Sequence, residues 1–229
     1  MPTHEPSRGH ARRNGPEFTS PPTVLIGIVG YTPVLDPYPL GPRLMAALER
    51  RLARTPSIRI ENMSWGPIHI VQRFQDPGAV RPDRLVLVGG ASLCRTPGRV
   101  TAYRWLGGRL PEPTMQERIY EAVTGIVDIE NTLAIGSHFG VWPQETFSVE
   151  IDLAAETFGR MVIADSEGRA SDAQLTDELG FSPAAAIEDL VEVVVGLAER
   201  GPDAGIAFGE KSAAELAPME GFLRNQVVG

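Results

Sequence analysis

The chain has 229 residues, a net charge of −8 at neutral pH and an ordinary hydrophobic share of 42%. This length fits one large domain, or a core of about 150–180 residues with extensions, and the acid excess argues against nucleic acid or an anionic membrane surface as main partner. Cys94 is the single cysteine, which rules out an intrachain disulfide and a multi-cysteine metal site and fits a reducing cytoplasm. No apolar run reaches the roughly 18 residues needed to span a bilayer, and the N-terminus lacks a signal-peptide core. The expectation is a cytoplasmic protein without a membrane anchor.

Residues 1–22 are polar, rich in Pro, Gly and Arg, and aperiodic, and are expected to form a disordered arm carrying His4 and His10. Val24 to Gly30 is a β-branched apolar run that predicts a buried parallel strand. A loop follows with Pro33, Asp36, Pro37 and Pro39. Leu40, Leu44, Ala47, Leu48 and Leu52 then recur at helical spacing. This is an opening βα unit, and in open α/β sheets chemistry collects at the carboxyl ends of strands, which draws attention to Tyr31–Leu40. Ser57–Glu61 alternates as a second strand, and Ile68–Phe74, bearing His69, reads as a short amphipathic helix.

Arg84–Gly90 is the clearest strand, with Cys94 shortly beyond it; Arg99–Trp105 alternates and is expected at a sheet edge. Helices are predicted over Thr114–Val123 and Ile129–Phe139, the second stopped by Gly140 and Pro143. Thr146–Ile151 is expected to be the last core strand, and 152–180 an acid-rich, loop-like excursion. Ser182 and Pro183 open a helix whose apolar face is Ile187, Leu190, Val191, Val194 and Leu197. Residues 201–229 read as a tail with weak helical character near Ala213–Leu216. The alternation predicts one α/β domain over 23–200 with a mostly parallel mixed sheet of about five strands.

Several local patterns, in this order, resemble the hydrogenase maturation proteases, endopeptidases that trim the C-terminal peptide of the nickel–iron hydrogenase large subunit. They are Val24–Gly27 through Leu40-Gly41-Pro42-Arg43; Leu85–Val88 with Thr96-Pro97-Gly98-Arg99-Val100; Asn131–Ile135 through Gly140–Pro143; Val149–Ile151 with Glu156–Gly159; and Phe181-Ser182-Pro183. The resemblance covers roughly 23–200. It implies a phosphorylase/hydrolase-like three-layer α/β/α sandwich, no intrinsic cofactor, and nickel met only through the substrate. The implied partner is a hydrogenase large subunit or another maturation protein.

That family contacts the metal through a loop acid, an Asp ending the central strand and a His before the third helix. In this chain the corresponding positions fall on Tyr38, on Gly89 (or Gly90) and near Gly125. Asp36 would supply the loop acid, and be the metal-contacting candidate, if the loop carries a one-residue indel; His138 comes too far downstream. Tyrosine and glycine do not replace carboxylate or imidazole ligands. The expectation is therefore a protease-like binding or accessory module with a lost site. The alternative is an active endopeptidase rewired through Asp36, with Asp128 or His69 assisting. Pyroglutamyl peptidases share the architecture, and Gly30–Pro33 is faintly similar to their opening, but they need a catalytic cysteine in the second half of the chain, and Cys94 comes too early.

Overall fold

The computed structural model describes residues 22–91, 96–125, 127–153, 155–168 and 171–216. His4, His10, Cys94 and the end of the expected tail fall outside them. The strands are β1 (Val24–Ile28), β2 (Ile58–Asn62), β3 (Arg84–Ala91), β4 (Val100–Trp105), β5 (Glu145–Asp152) and β6 (Phe208–Lys211). They form one sheet in the order β2-β1-β3-β5-β4-β6. The first four of that order run parallel, β4 is antiparallel to β5, and β6 is parallel to β4.

Alternation along the central strands makes the layers. Ile26, Ile28, Val86, Val88, Phe147 and Val149 face one core, covered by α1 (Pro42–Leu52), α6 (Asp172–Leu179) and α7 (Pro183–Arg200). Leu25, Leu85 and Leu87 face the other, covered by α2 (Pro67–Gln75), α3 (Glu112–Val123) and α4 (Ile129–His138). The result is a three-layer α/β/α sandwich with a mixed, mostly parallel sheet, as the alternation implied. No described helix is long and apolar enough to cross a membrane.

The helices start where local chemistry says they should. Pro42 sits in the first turn of α1, and Leu44, Leu48 and Leu52 are its buried row; each such leucine contributes about 1.5–3 kcal/mol by leaving water. Arg50 and Arg51 in its last turn suit the negative end of the helix dipole. The Ser182 hydroxyl accepts the Ala185 N–H at 3.4 Å and Pro183 follows, opening α7.

Three expectations are corrected. The sheet has six strands, because β6 comes from the segment read as a tail. For the same reason β4 is not an edge strand: β6 covers its outer side. The acidic excursion is helical, forming α5 (Ala155–Ser166) and α6. Ser171 and Gln174 form a capping box, Gly180 ends α6 with φ +75°, and Leu175 and Leu179 anchor it in the core. Asp172, Asp177 and Glu178 lie on the exposed side of α6, which masked its helical period.

Candidate functional site

The chain leaves β1 for β2 on one side and returns to β3 on the other, so β1 and β3 flank the switch point of the sheet. In open α/β folds ligands bind in the crevice outside the strand ends at this point. Gly30 lies just beyond β1, with φ +84°; a side chain there would meet Leu40 Cδ1 at 3.6 Å. Gly90 near the end of β3 faces Leu153 Cδ1 at 3.4 Å and the same Leu40 atom at 3.9 Å, measured from the place its Cβ would occupy. The Cβ of any residue at position 89 would stand 2.8 Å from Ile129 Cβ, in the first turn of α4. Ile129 thus closes on Gly89 at one face of the sheet, while Leu40 and Leu153 lie beside Gly90 at the other.

The loop leading into α1 is folded on itself. The Thr32 N–H donates to the Leu40 carbonyl at 3.0 Å, and the Tyr38 N–H to the Leu35 carbonyl at 2.9 Å. Leu35, Tyr38 and Leu40 are buried, and burial pushes the Tyr38 phenol up to about 12. At neutral pH this is a protonated phenol, without the charge of a carboxylate.

Asp36 points elsewhere. Its exposed carboxylate takes the Arg43 Nε at 3.3 Å, and Arg43 also holds Asp172, the first residue of α6, through Nη1 at 3.0 Å and Nη2 at 3.3 Å. The Arg43 guanidinium is held above its ordinary range, by Asp172 first and Asp36 second. Gly125 is exposed in the α3–α4 connection, with φ +99° and no atom within 4 Å of its side-chain position. His69 is exposed and meets Trp65 edge-on at 5.2 Å. Of the sequence candidates, the structure sets Gly89 against Ile129, Gly90 beside Leu153 and Leu40 on the other face of the sheet, and Tyr38 in the same loop as Leu40. It does not bring Asp36, Gly125 or His69 into contact with them. Among the described residues no group of three or more His, Cys, Asp or Glu side chains is arranged to hold a metal ion, so the residues present do not fit a nickel contact of the family's kind.

The main cluster of charge in the interior was not singled out from sequence. Lys211 of β6 reaches Glu130 at 2.9 Å and both carboxylate oxygens of Glu150 at 3.1 Å, while the Ser148 hydroxyl donates to Glu150 at 2.9 Å. The Lys211 ammonium also lies 5.2 Å from the centre of the Tyr103 ring. Burial alone would pull this ammonium down; Glu150 and Glu130 outweigh it and hold it above the ordinary lysine range. An amine kept protonated in this way is neither nucleophile nor base, and its chemistry is to tie β6 to β5 and α4.

Beside it, buried Arg118 and Glu121 of α3 engage buried Asn131 of α4. Burial raises the Glu121 carboxyl, against the pull of Asn131 and Arg118. Asp128 caps α4 by accepting the Asn131 N–H at 2.6 Å, and burial raises its carboxyl too. The sequence signal for this region was the polar row Thr146, Ser148 and Glu150, alternating with Phe147, Val149 and Ile151 along β5. No family model, no curated protein and no solved structure matches the chain.

Proposed function

We propose that this chain is a hydrogenase-maturation-protease-like docking module that acts in nickel–iron hydrogenase assembly, in the cytoplasm, without cutting its partner. The partner would be a hydrogenase large subunit or another maturation protein. The observation that carries the reading is the apolar surroundings of the β1 and β3 ends, with Ile129 against Gly89 on one face of the sheet and Leu40 beside Gly30 and Gly90 on the other. Strand ends lined by glycine backbone, leucine and isoleucine offer neither a ligand to a metal nor a base to a water. The family assignment rests on the ordered motifs of the sequence, and the element order and three-layer architecture are consistent with it. The single cysteine and acidic charge support the cytoplasmic setting.

The test is calorimetry with nickel, followed by incubation with a nickel-loaded large-subunit precursor and sizing chromatography of the same mixture. The expected result is no nickel uptake, no cleavage and a stable complex. Cleavage that disappears in Asp36→Ala would establish the rewired endopeptidase instead, and absence of both cleavage and complex would remove the docking reading.

A further inference from the structure

On one side the sheet ends at β2, which pairs with β1 alone. Two bonds fix the direction of its backbone groups: the Ser57 carbonyl accepts the Val24 N–H at 2.8 Å, and the Met63 N–H donates to the Ile28 carbonyl at 2.8 Å. Odd-numbered residues of β2 therefore turn their N–H and C=O groups towards β1, and Ile58, Ile60 and Asn62 turn theirs outwards. The Ile58 N–H is taken by the Thr55 carbonyl, and the Asn62 carbonyl by the Trp65 indole. Among the described residues, nothing in the chain pairs with the two groups of Ile60, the Ile58 carbonyl or the Asn62 N–H. The strand carries no proline, no lysine and no bulge, the usual protections of an edge, and its register with β1 is unbroken. Arg59 and Glu61 stand on the α2 side, where Arg73 holds Glu61 at 2.6 Å and Arg59 reaches it only at 3.7 Å. An open groove of about 290 Å³, lined in part by Arg59, Arg73 and Asp76, leaves room on that side. Ile58 and Ile60 pack on the other side, against the core covered by α1 and α7.

We propose that two copies of this chain associate edge to edge through β2, antiparallel about a two-fold axis at Ile60, so that one sheet runs through both. A two-fold interface must be self-complementary, and the order Arg59-Ile60-Glu61 is so on reversal. Ile60 lies opposite the counterpart's Ile60, and the two exchange both of their backbone hydrogen bonds. The Asn62 N–H and the counterpart's Ile58 carbonyl supply one more at each end. Arg59 falls opposite the counterpart's Glu61, and Glu61 opposite its Arg59, in pairs whose Cα atoms stand about 4.5 Å apart. Opposite charges in such pairs favour the ladder, and like charges oppose it. The neighbouring registers that still join outward-facing groups centre on Arg59 or on Glu61, and each sets a charge against itself. The charges therefore select the register as well as the partner. The pairing uses none of the residues at the β1 and β3 ends, so it stands or falls independently of the reading of those ends.

Sedimentation velocity of the full chain over a concentration series, at low and high salt, tests it. A pairing of two short strands buries little surface, so the expected result is a weak, reversible species of twice the 24.8 kDa chain mass that dissociates more readily as salt rises. Ile60→Pro removes an N–H that the folded chain does not use and that the pairing needs; the variant should be folded by circular dichroism and monomeric. Arg59→Glu sets an acid against Glu61 twice and should weaken association by about tenfold. Hydrogen exchange of the native chain gives an answer that needs no variant: the Ile60 and Asn62 amides should exchange more slowly in a concentrated sample than in a dilute one. A chain that stays monomeric at all concentrations overturns the proposal and leaves the edge to an extended segment of another protein. A dimer whose Ile60 and Asn62 amides stay unprotected, or one that persists in folded Ile60→Pro or is indifferent to Arg59→Glu, overturns it as well.

Discussion

The crevice between β1 and β3 and the ionic cluster beneath α4 are opposites in composition and in position. The first lies where an open α/β sheet gathers its chemistry, and holds glycine backbone packed under Leu40, Leu153 and Ile129. The second holds Lys211, Glu150, Glu130 and Ser148 in close hydrogen-bonded contact, within a layer that is otherwise core. Position in the fold and presence of reactive side chains thus point to different places. A titratable cluster whose members satisfy one another is spent on order: Lys211 is kept charged by Glu150 and Glu130, and Glu150 is kept paired by Lys211 and Ser148. The strand ends of β1 and β3 have the address of a site but are lined there by glycine, leucine and isoleucine. The comparison teaches that each region must be judged by what its atoms can still bond to.

The largest expected effect tests the cluster. Lys211→Met leaves Glu150, which is only 5% exposed, as a buried carboxylate without its counter-charge. Removing one partner of a buried pair costs 3–5 kcal/mol, and the lower end, about 3 kcal/mol, is expected because Glu130 is partly open to water. Urea unfolding reads this directly, and Lys211→Met with Glu150→Met should recover most of the loss; if the single variant is neutral, the cluster does not hold the sheet. The pH dependence has a fixed sign. A lysine whose folded value lies above its unfolded one contributes stability that is complete below the ordinary lysine range and fades as pH rises through the raised value. Stability should therefore drop on the alkaline side in the native chain and more shallowly in the double variant.

Next comes the crevice. Gly89→Ala places a Cβ 2.8 Å from Ile129 Cβ and must shift α4 or β3, with an expected cost of about 1–3 kcal/mol. Gly90→Ala meets its nearest atom at 3.4 Å and should cost under about 1 kcal/mol, so the ratio of the two reports how tightly Ile129 sits. Gly89→Asp, which would put an acid at the strand end, should be worse than alanine because it adds a buried charge. Equal tolerance of all three would mean that the crevice opens readily in solution.

The parts of this fold that were legible in sequence are those whose signal is local. β1 and β3 are continuous apolar runs, and α7 carries its own cap, its proline and an apolar row. β6 is four residues with only partial burial; it becomes a strand because β4 has a vacant edge, a fact no window of sequence contains. α6 had a legible capping box that the density of acids obscured. The Lys211 cluster joins residues 61 and 81 positions apart, so only the register of β4, β5 and β6 reveals it. The site candidates are of another kind: ordered motifs place Tyr38 and Gly89 by position along the chain, and position says nothing about Leu40 and Ile129 lying beside them in space.

Asp128 offers a smaller effect with an opposite pH sense from that of ordinary salt-bridged acids. Its folded carboxyl is raised by burial, so its contribution is most favourable below the unfolded value and is lost as pH rises through the folded one. Asp128→Asn keeps a good N-cap for the Asn131 N–H while removing the buried charge. The variant should be slightly more stable than the native chain at neutral pH, by up to about 1 kcal/mol, with the advantage vanishing in acid. A loss at neutral pH would show that the charge matters to α4 more than its burial costs.

The smallest effect is expected at the Arg43 bridge. Its three members are substantially exposed, at 39% for Arg43, 63% for Asp36 and 56% for Asp172, and exposed pairs contribute about 0.2–1 kcal/mol. Asp36→Ala should therefore change unfolding stability by under about 0.5 kcal/mol, because Asp172 retains the guanidinium through two contacts. Arg43→Ala should cost somewhat more, as it releases α6 from the start of α1, and this difference should shrink as salt rises. The pair of variants separates two roles for Asp36. If it is only a surface partner of Arg43, its removal should leave complex formation with the precursor unchanged within a factor of about two. A large loss of partner binding in Asp36→Ala, with stability intact, would place the working surface on the Tyr31–Leu40 loop itself.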